Sequence, residues 1–234
     1  MLLIKQVIDC IHMDMPYYGY RRVAKELSEV YGLTVDKKTA QRYMREMGIE
    51  AVYPKPDTSK PDPENKVYPY LLKGLKIVRP NQVWGTDITY IPMLCGFMYL
   101  TAVIDWYSRY VLSWALSDSL EISFVLEAAR EALMRGRPEI MNSDQGSHYT
   151  SPKYTQIFLD AGVSISMDHR GRCFDNIFVE RLWRSVKYEC VYINEFNSPK
   201  ELRSKLTEYF DRYNNRRWHQ SLRYLTPAQV HFAR

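Results

Sequence analysis

Apolar residues recur every three or four positions through the first 48 residues of the chain. This spacing places them on one side of an α-helix and predicts three helices, over residues 1–12, 16–32 and 37–48. Asp36 stands immediately before the third helix and is its predicted N-cap, because a short carboxylate accepts hydrogen bonds from the first free amides of a helix. The pattern therefore predicts a small helical domain over residues 1–50.

The third predicted helix has a basic outer face. Its inward positions are apolar (Ala40, Tyr43, Met44 and Met47), and its outward positions are mostly cationic (Lys37, Lys38, Arg42 and Arg45, with Gln41). Two helices joined by a tight turn are typical of a helix-turn-helix, which inserts its second helix into the DNA major groove. A three-helix bundle that binds no DNA fits the same pattern equally well.

Residues 51–80 interrupt the periodicity, and their proline, charged and small polar residues predict an extended linker. From residue 81 the apolar residues alternate, which predicts β-strands. In order, the prediction is strands 82–92, 96–105 and 107–118, helix 121–135, strand 138–144, helix 151–162, strand 163–167, helix 175–191 and an amphipathic helix from Ser198. This order predicts an α/β domain over residues 81–234: a mixed five-stranded sheet flanked by helices, of ribonuclease H-like type, with a C-terminal helical extension.

Three acidic residues occupy positions in this predicted fold that suggest a shared function. Asp87 falls in the middle of the first strand, where a charge among apolar neighbours is costly unless it is paired or binds a metal. Asp144 is the last residue of its strand, and Glu180 lies one turn into a helix whose predicted N-cap is Asp175. Carboxylates gathered in a small space repel one another, and divalent cations remove that repulsion. The alternative is that these are unrelated surface acids among the 27 in the chain.

The helix that carries Glu180 also has a cationic face. At about 100° per residue, Arg184 and Lys187 follow Glu180 on one side of the helix, opposite its apolar stripe. Such cations suit contacts with DNA phosphates. Asn176 lies one turn before Glu180 on the same side, where it either contacts DNA or caps the helix.

Charge is unevenly distributed along the chain, whose net charge is +5. Residues 169–234 contain 13 basic and 7 acidic residues, whereas residues 51–168 contain 11 basic and 13 acidic residues. An acidic middle followed by a basic end fits a carboxylate site that attracts a polyanion. Residues 212–224, "RYNNRRWHQSLRY", are the strongest basic–aromatic run. Solvated basic residues on C-terminal helices would account for the same balance.

Cysteine spacing and the N-terminal sequence indicate a cytoplasmic protein. The four cysteines (Cys10, Cys95, Cys173 and Cys190) have neither zinc-site nor disulfide spacing, and we expect free thiols. The N-terminus becomes charged too early for a signal peptide, and no apolar run approaches the ~18 residues of a membrane span. We therefore expect no membrane partner.

Six segments spread over nearly the whole chain carry a family resemblance. They are "YGYRRVAKEL" (18–27), "RPNQVWGTDITYI" (79–91), "YLTAVIDWYSRYVLSWALS" (99–117), "NSDQGSHYTS" (142–151), "DNIFVERLWRSVKYE" (175–189) and "YNNRRWHQSLRYLTPAQ" (213–229). Together they resemble the second-frame product of IS3-type insertion sequence transposases, within the retroviral-integrase-like DDE superfamily. The 35 residues between Asp144 and Glu180 match the spacing of that family.

The resemblance implies a site and its partners. Asp87, Asp144 and Glu180 would be the catalytic metal ligands for two Mg²⁺ ions, with Mn²⁺ able to substitute, and Lys187 would contact a DNA end. The implied protein works as a homo-oligomer on DNA, on element ends and target, through a circular intermediate. It would be bacterial and associated with the nucleoid.

Two features differ from the family pattern. The chain opens almost directly on the second-frame helices, so we expect recognition of element ends to depend on an upstream-frame product joined by ribosomal frameshifting. Asp168 and His169 stand where related proteins more often have small polar residues, and no role is assigned to them.

Asp144, Ser147 and His148 resemble a hydrolase triad in composition, but they share one loop and lack a GxSxG elbow. His148 either touches metal or phosphate or belongs to the turn.

The function predicted from these features is that of a polynucleotidyl transferase. It would cleave DNA at an element end, leave a 3′-hydroxyl, and join that hydroxyl to a second phosphodiester. A structure-specific nuclease of the same fold and a non-catalytic DNA-binding regulator acting through residues 1–50 are the alternatives.

Trp84 and Trp183 either stack on flipped bases or, as we expect, pack in the protein.

Overall fold

A computed structural model describes residues 2–52, 65–94, 96–168 and 176–233 of the chain. The chain divides into two compact units, Met1–Lys60 and Pro61–Arg234. The predicted domain boundaries at residues 50 and 80 stay a prediction. Four residues named above, Cys95, His169, Cys173 and Asp175, lie outside the described residues.

Three helices make up the described part of the first unit: α1 (Leu2–Asp14), α2 (Tyr20–Glu29) and α3 (Lys37–Glu46). Their core contains the predicted inward-facing residues Ile8, Ile11, Leu27 and Met44. Asp36 caps α3 as predicted, since its carboxylate accepts hydrogen bonds from the amides of Lys38 and Thr39 at 2.7 Å and 3.0 Å.

The second predicted helix is too long at its C-terminus. The helix α2 ends at Glu29, and Val30, an apolar residue inside the predicted helix, is 63% exposed. The chain turns here because Gly32 takes a positive φ of 62°, and the amide of Leu33 then donates to the carbonyl of Leu27.

A five-stranded sheet forms the centre of the second unit, counted over its described residues. The strands are β1 (Val83–Pro92), β2 (Phe97–Asp105), β3 (Val111–Ser117), β4 (Ile140–Ser143) and β5 (Ser164–Met167). Their order is β3-β2-β1-β4-β5, with β1, β2 and β3 antiparallel and β4 and β5 parallel to β1. This confirms the predicted mixed α/β sheet.

Two strand ends differ from the prediction. The third strand begins at Val111 instead of residue 107, because Asp105 accepts hydrogen bonds from the amide and hydroxyl of Ser108 and so holds residues 106–109 in a turn. The fourth strand ends at Ser143, which places Asp144 just beyond it.

Helices cover both faces of the sheet. They are α4 (Ser123–Arg135), α5 (Ser147–Thr150), α6 (Pro152–Asp160), α7 (Ile177–Val186), α8 (Pro199–Asn215) and α9 (Pro227–His231). One core cluster joins the sheet to α7 and α8, and a second joins it to α4 and α6. The predicted helix 175–191 is α-helical only to Val186 and continues as a π-helical turn, Lys187–Val191. In the described residues, no helix combines the length and the apolar character needed to cross a membrane.

The described residues of the predicted linker, 51–52 and 65–80, have no regular secondary structure, and residues 65–80 pack on the second unit. Leu72 is buried in its core, and the amide of Leu71 donates to the hydroxyl of Ser166 at 3.0 Å. Ser166 belongs to β5, the edge strand of the sheet, which leaves groups free to bond a passing segment.

Close packing at Gly85 fixes the contact between β1 and α7. A Cβ atom at this position would lie 2.2 Å from Nε1 of Trp106 and 3.1 Å from Cγ2 of Val179, a residue of α7. Only a glycine at position 85 lets the helix approach the strand this closely.

We therefore expect Gly85→Ala to lower the free energy of unfolding of the second unit by about 1–3 kcal/mol, the usual cost of overpacking. All five tryptophans lie between residues 84 and 218, so urea unfolding followed by tryptophan fluorescence reports this unit. Gly136→Ala is the matched control, because Gly136 lies in the same unit and a Cβ there would meet other atoms only at ordinary contact distances of 3.5 Å or more. An unchanged midpoint for Gly85→Ala would contradict the packing described here.

Candidate active site

Asp87 lies in the middle of β1 and is partly buried. Its backbone carbonyl accepts a hydrogen bond from the hydroxyl of Thr101 at 3.0 Å. Its side-chain Oδ2 accepts one from the indole Nε1 of Trp183 at 3.0 Å. The neighbouring strand and α7 thus hold this residue from two sides.

Asp144 follows β4, the neighbour of β1. In the parallel register Gly85 pairs with Asn142, so Asp87 and Asp144 each stand two residues beyond this pair. The amide of Gly146 donates to Oδ1 of Asp144 at 2.8 Å. A Cβ on Gly146 would lie 2.9 Å from that oxygen, so a larger residue here would displace the carboxylate of Asp144.

Glu180 lies in the first turn of α7 and is exposed. Its neighbour Val179 packs near Gly85, and Trp183, one turn on, reaches Asp87. The helix therefore presents Glu180 on the part of α7 that docks on β1.

The N-cap of α7 is Asn176 and not the predicted Asp175. The side chain of Asn176 makes no capping bond; it is buried and donates from Nδ2 to the carbonyl of Thr86 at 3.1 Å. This residue therefore attaches the start of α7 to β1. The sequence had suggested a DNA contact or a capping side chain instead.

Electrostatic coupling links the three acids. Burial raises the pKa of Asp87 to about 6, and the negative charges of Asp144 and Glu180 contribute to the rise. Hydrogen bonds from the amide of Ile88 and from Trp183 oppose this by stabilising the carboxylate. Among the described residues, no three acidic, histidine or cysteine side chains converge closely enough to enclose one metal ion.

Two buried tyrosines, missed by sequence reasoning, lie near the acids. The rings of Tyr149 and Tyr154 pack edge to face at 5.1 Å. Burial raises the pKa of both phenols, and the charge of Asp144 contributes to each shift. Their aromatic character was visible in the sequence, but their proximity to Asp144 depends on how α5 and α6 fold back.

The loop after β4 is held by contacts within the protein. Asp168 accepts a hydrogen bond on Oδ1 from the amide group of Asn142 at 2.9 Å, and its carbonyl accepts one from Gln145 at 2.8 Å. A ring nitrogen of His148 lies 2.6 Å from the carbonyl oxygen of Leu120. Asp168 and His148 thus both take part in local structure.

The predicted cations of α7 lie against exposed aromatic rings. The guanidinium of Arg184 lies 5.8 Å from the ring centroid of Tyr188, and Nζ of Lys187 lies 5.2 Å from that of Tyr90. Lys187 starts the π-helical turn, in which the amide of Tyr192 donates to the carbonyl of Lys187.

The other predicted DNA-binding residues lie on α3 of the first unit, where Lys37, Lys38, Arg42 and Arg45 are all exposed. Of the four, Arg42 lies 3.7 Å from the carboxylate of Glu46.

The basic–aromatic run at 212–224 is partly structural. Arg217 forms two hydrogen bonds with Glu189, at 2.8 Å and 2.5 Å. The predicted packing roles of Trp84 and Trp183 agree with their burial, at 0% and 6% exposure.

Removing the indole donor should raise the pKa of Asp87 above about 6, because the N–H group stabilises the charged carboxylate. We expect this for Trp183→Phe in a pH titration of the Asp87 carboxyl carbon by NMR. Trp114→Phe is the control, since Trp114 stacks on Phe210. Equal Asp87 pKa values in the two variants would show that the indole bond has no electrostatic effect.

Known protein families match the two units of the chain separately. Residues 2–57 match the HTH-like domain family. Residues 78–173 match the integrase core domain family, and residues 161–227 match a second family with the same description.

Individual relatives cover most of the chain. The InsK protein for insertion sequence element IS150 of Escherichia coli (strain K12) is 32% identical over 230 residues, which cover 96% of this chain and 81% of the relative. The transposase InsF for insertion sequence IS3A of the same organism is 30% identical over 227 residues, covering 91% of this chain and 76% of the relative.

A solved structure shares the fold. The HTLV-2 integrase catalytic core domain in complex with magnesium is similar with a TM-score of 0.53 at 18% identity, over 67% of this chain and 99% of that one. The second unit is therefore a ribonuclease H-like integrase core. Because these relatives are 30% or more identical over at least 91% of its length, the chain belongs to the IS3 family of insertion sequence transposases.

Proposed function

We propose that this chain is a DDE polynucleotidyl transferase that cleaves DNA at the ends of an insertion sequence and joins them to target DNA. The observation that carries the proposal is the placement of the three acids: Asp87 and Asp144 each stand two residues beyond the paired residues Gly85 and Asn142, and the helix that carries Glu180 is bonded to Asp87 through Trp183. The charges of Asp144 and Glu180 contribute to the raised pKa of Asp87, and bound cations would relieve that repulsion. The family membership supports the same interpretation.

The donor set fits Mg²⁺, which prefers carboxylate oxygens and keeps water and phosphate oxygens as further ligands. Asp87, Asp144 and Glu180 would share two ions between them. When bound, the ions would activate the attacking oxygen and stabilise charge on the leaving oxygen. The HTLV-2 integrase core, which shares this fold and was solved in complex with magnesium, supports this assignment.

Neighbouring residues prepare the site before DNA arrives. The indole of Trp183 fixes the orientation of Oδ2 of Asp87, and the amide of Gly146 fixes Oδ1 of Asp144. Arg184 and Lys187, on the same helix as Glu180 or its continuation, would hold phosphates near the acids. The chain thus supplies orientation and charge balance for in-line displacement at phosphorus.

The proposal includes further DNA contacts and partners. The exposed cations of α3 would bind DNA as in a helix-turn-helix, and the HTH-like match over residues 2–57 supports this. The protein would act as a homo-oligomer that holds two element ends. An upstream-frame product would add end recognition.

Glu180→Gln should abolish both cleavage and joining, by about 10³-fold or more, because it removes one ligand charge while keeping the shape of the side chain. The assay uses duplexes carrying the terminal repeats that flank the coding region, with Mg²⁺ or Mn²⁺. Glu127→Gln, on the α4 side of the sheet, is the control and should keep full activity. Unchanged products from Glu180→Gln would remove the catalytic assignment.

The same assay separates the other candidate functions. Cleaved ends without joined products from the unaltered protein would indicate a nuclease. DNA binding without cleavage would indicate a regulator.

Metal affinity should depend on pH through Asp87. Its pKa is raised to about 6, so below that pH a cation must displace a proton, and affinity should fall by about tenfold per pH unit. Above about pH 7 this group should cause no further change. Calorimetric titration with Mn²⁺ on both sides of the Asp87 pKa measures the dependence, with Glu127→Gln as the control. A flat profile would contradict the role of Asp87 as a ligand.

A further inference from the structure

A group of exposed aromatic side chains adjoins the candidate active site. Tyr90 and Tyr188 are 60% and 65% exposed, and their neighbours Phe97 and Tyr192 are 55% and 59% exposed. Together with Arg184 and Lys187, these four residues form what we call the aromatic–basic surface. Large apolar side chains are seldom gathered on a surface without a binding role.

This surface extends from the acids along two elements at once. Tyr90 lies three residues after Asp87 on β1, about 10 Å along the strand and with its side chain on the opposite side of the strand, so its link to the helix is made by Lys187. Tyr188 lies eight residues after Glu180, or about 12 Å along the helix. Lys187 connects the two parts, because its Nζ lies 5.2 Å from the ring centroid of Tyr90. A strand of DNA held at the acids would reach this surface within two or three nucleotides.

The rings are arranged in edge-to-face pairs. Tyr90 meets Phe97 at 5.7 Å with an interplanar angle of 87°, and Tyr188 meets Tyr192 at 5.4 Å with an angle of 76°. In an edge-to-face pair the edge of one ring meets the face of the other, so each pair leaves a ring face open for a further flat partner.

The charges nearby favour an anionic ligand. Arg184 lies over the ring of Tyr188 and Lys187 over the ring of Tyr90, at 5.8 Å and 5.2 Å from the centroids, so each cation occupies one side of its ring. The acid that follows Tyr188, Glu189, is neutralised by its two hydrogen bonds with Arg217. The surface therefore combines available cations with flat apolar faces.

We propose that the aromatic–basic surface binds unpaired bases of the DNA end, with their rings stacked on Tyr188 and Tyr90 and their phosphates held by Arg184 and Lys187. Bases within a duplex are covered by their neighbours, so an exposed ring selects bases that have left the stack. Base–aromatic stacking beside a cationic groove is the common mode of single-strand binding. This inference rests on the proposed function and specifies the state of the DNA that the site accepts.

The test compares two DNA probes of identical duplex sequence, one blunt and one with a single-stranded 3′ tail of about three nucleotides. Fluorescence anisotropy in the absence of divalent metal measures binding without reaction. We expect the unaltered protein to prefer the tailed probe. Tyr188→Ala should lose roughly tenfold in affinity for the tailed probe and almost none for the blunt one.

Two further variants make the comparison specific. Tyr188→Phe keeps the ring and should retain the preference for the tail. Phe232→Ala removes another exposed aromatic side chain, far from the aromatic–basic surface. Phe232 packs against Tyr110 beyond the Asp105 end of β2, and Phe97 of the aromatic–basic surface lies at the opposite end of that strand. The preference should be unchanged in this control.

Three outcomes would overturn the proposal: no preference for the tail in the unaltered protein, an equal loss on both probes in Tyr188→Ala, or a change of oligomeric state in Tyr188→Ala by light scattering. The last would show that the surface contacts a second copy of the chain. Because binding is measured without metal, these results are independent of whether the protein cleaves and joins DNA. Failure of the proposed function would appear instead as absent products from the unaltered protein.

Discussion

Placing a carboxylate in the middle of a packed strand is the constraint on which the site depends. Asp87 loses much of its hydration, and two further acids act on it, so its pKa rises to about 6. Because the folded pKa lies above the ordinary value, this group lowers folding stability as pH rises from about 4 to 6. The bond from Trp183 offsets part of the cost and makes α7 a necessary neighbour of β1.

The rest of the second unit fixes α7 in that position. Val179 approaches Gly85 closely, and Asn176 bonds the carbonyl of Thr86, so the first turn of the helix is attached to β1. At the other end, Glu189 in the π-helical turn is bound by Arg217, from the segment after α8. Since both ends of the helix are held, Glu180 keeps its exposed place in the first turn of α7, next to the residues that dock on β1.

The sequence was sufficient for the features that depend on local pattern. Alternation identified the strands, and the Asp36 cap followed from residue type. The three acids were predicted from their spacing and from the family motifs, both of which are visible in the sequence. The contact of Trp183 with Asp87 and the internal bond of Asn176 were not predicted, because each joins residues about 90 positions apart. The π-helical turn was not predicted either. Its residue Glu189 is bonded to Arg217, which lies 28 positions further along the chain.

The π-helical turn would allow one helix to make both of the proposed contacts with DNA. Up to Val186 a regular α-helix presents Glu180 and Arg184 beside the acids of the sheet. From Lys187 the bond from the amide of Tyr192 to the carbonyl of Lys187 spans five residues, which widens the turn. The rings of Tyr188 and Tyr192 pack edge to face on the surface instead of entering the core. Because the phosphate-binding and base-binding groups share this rigid element, a shift of α7 would displace both together, so the proposed chemistry and the proposed choice of DNA state are mechanically coupled.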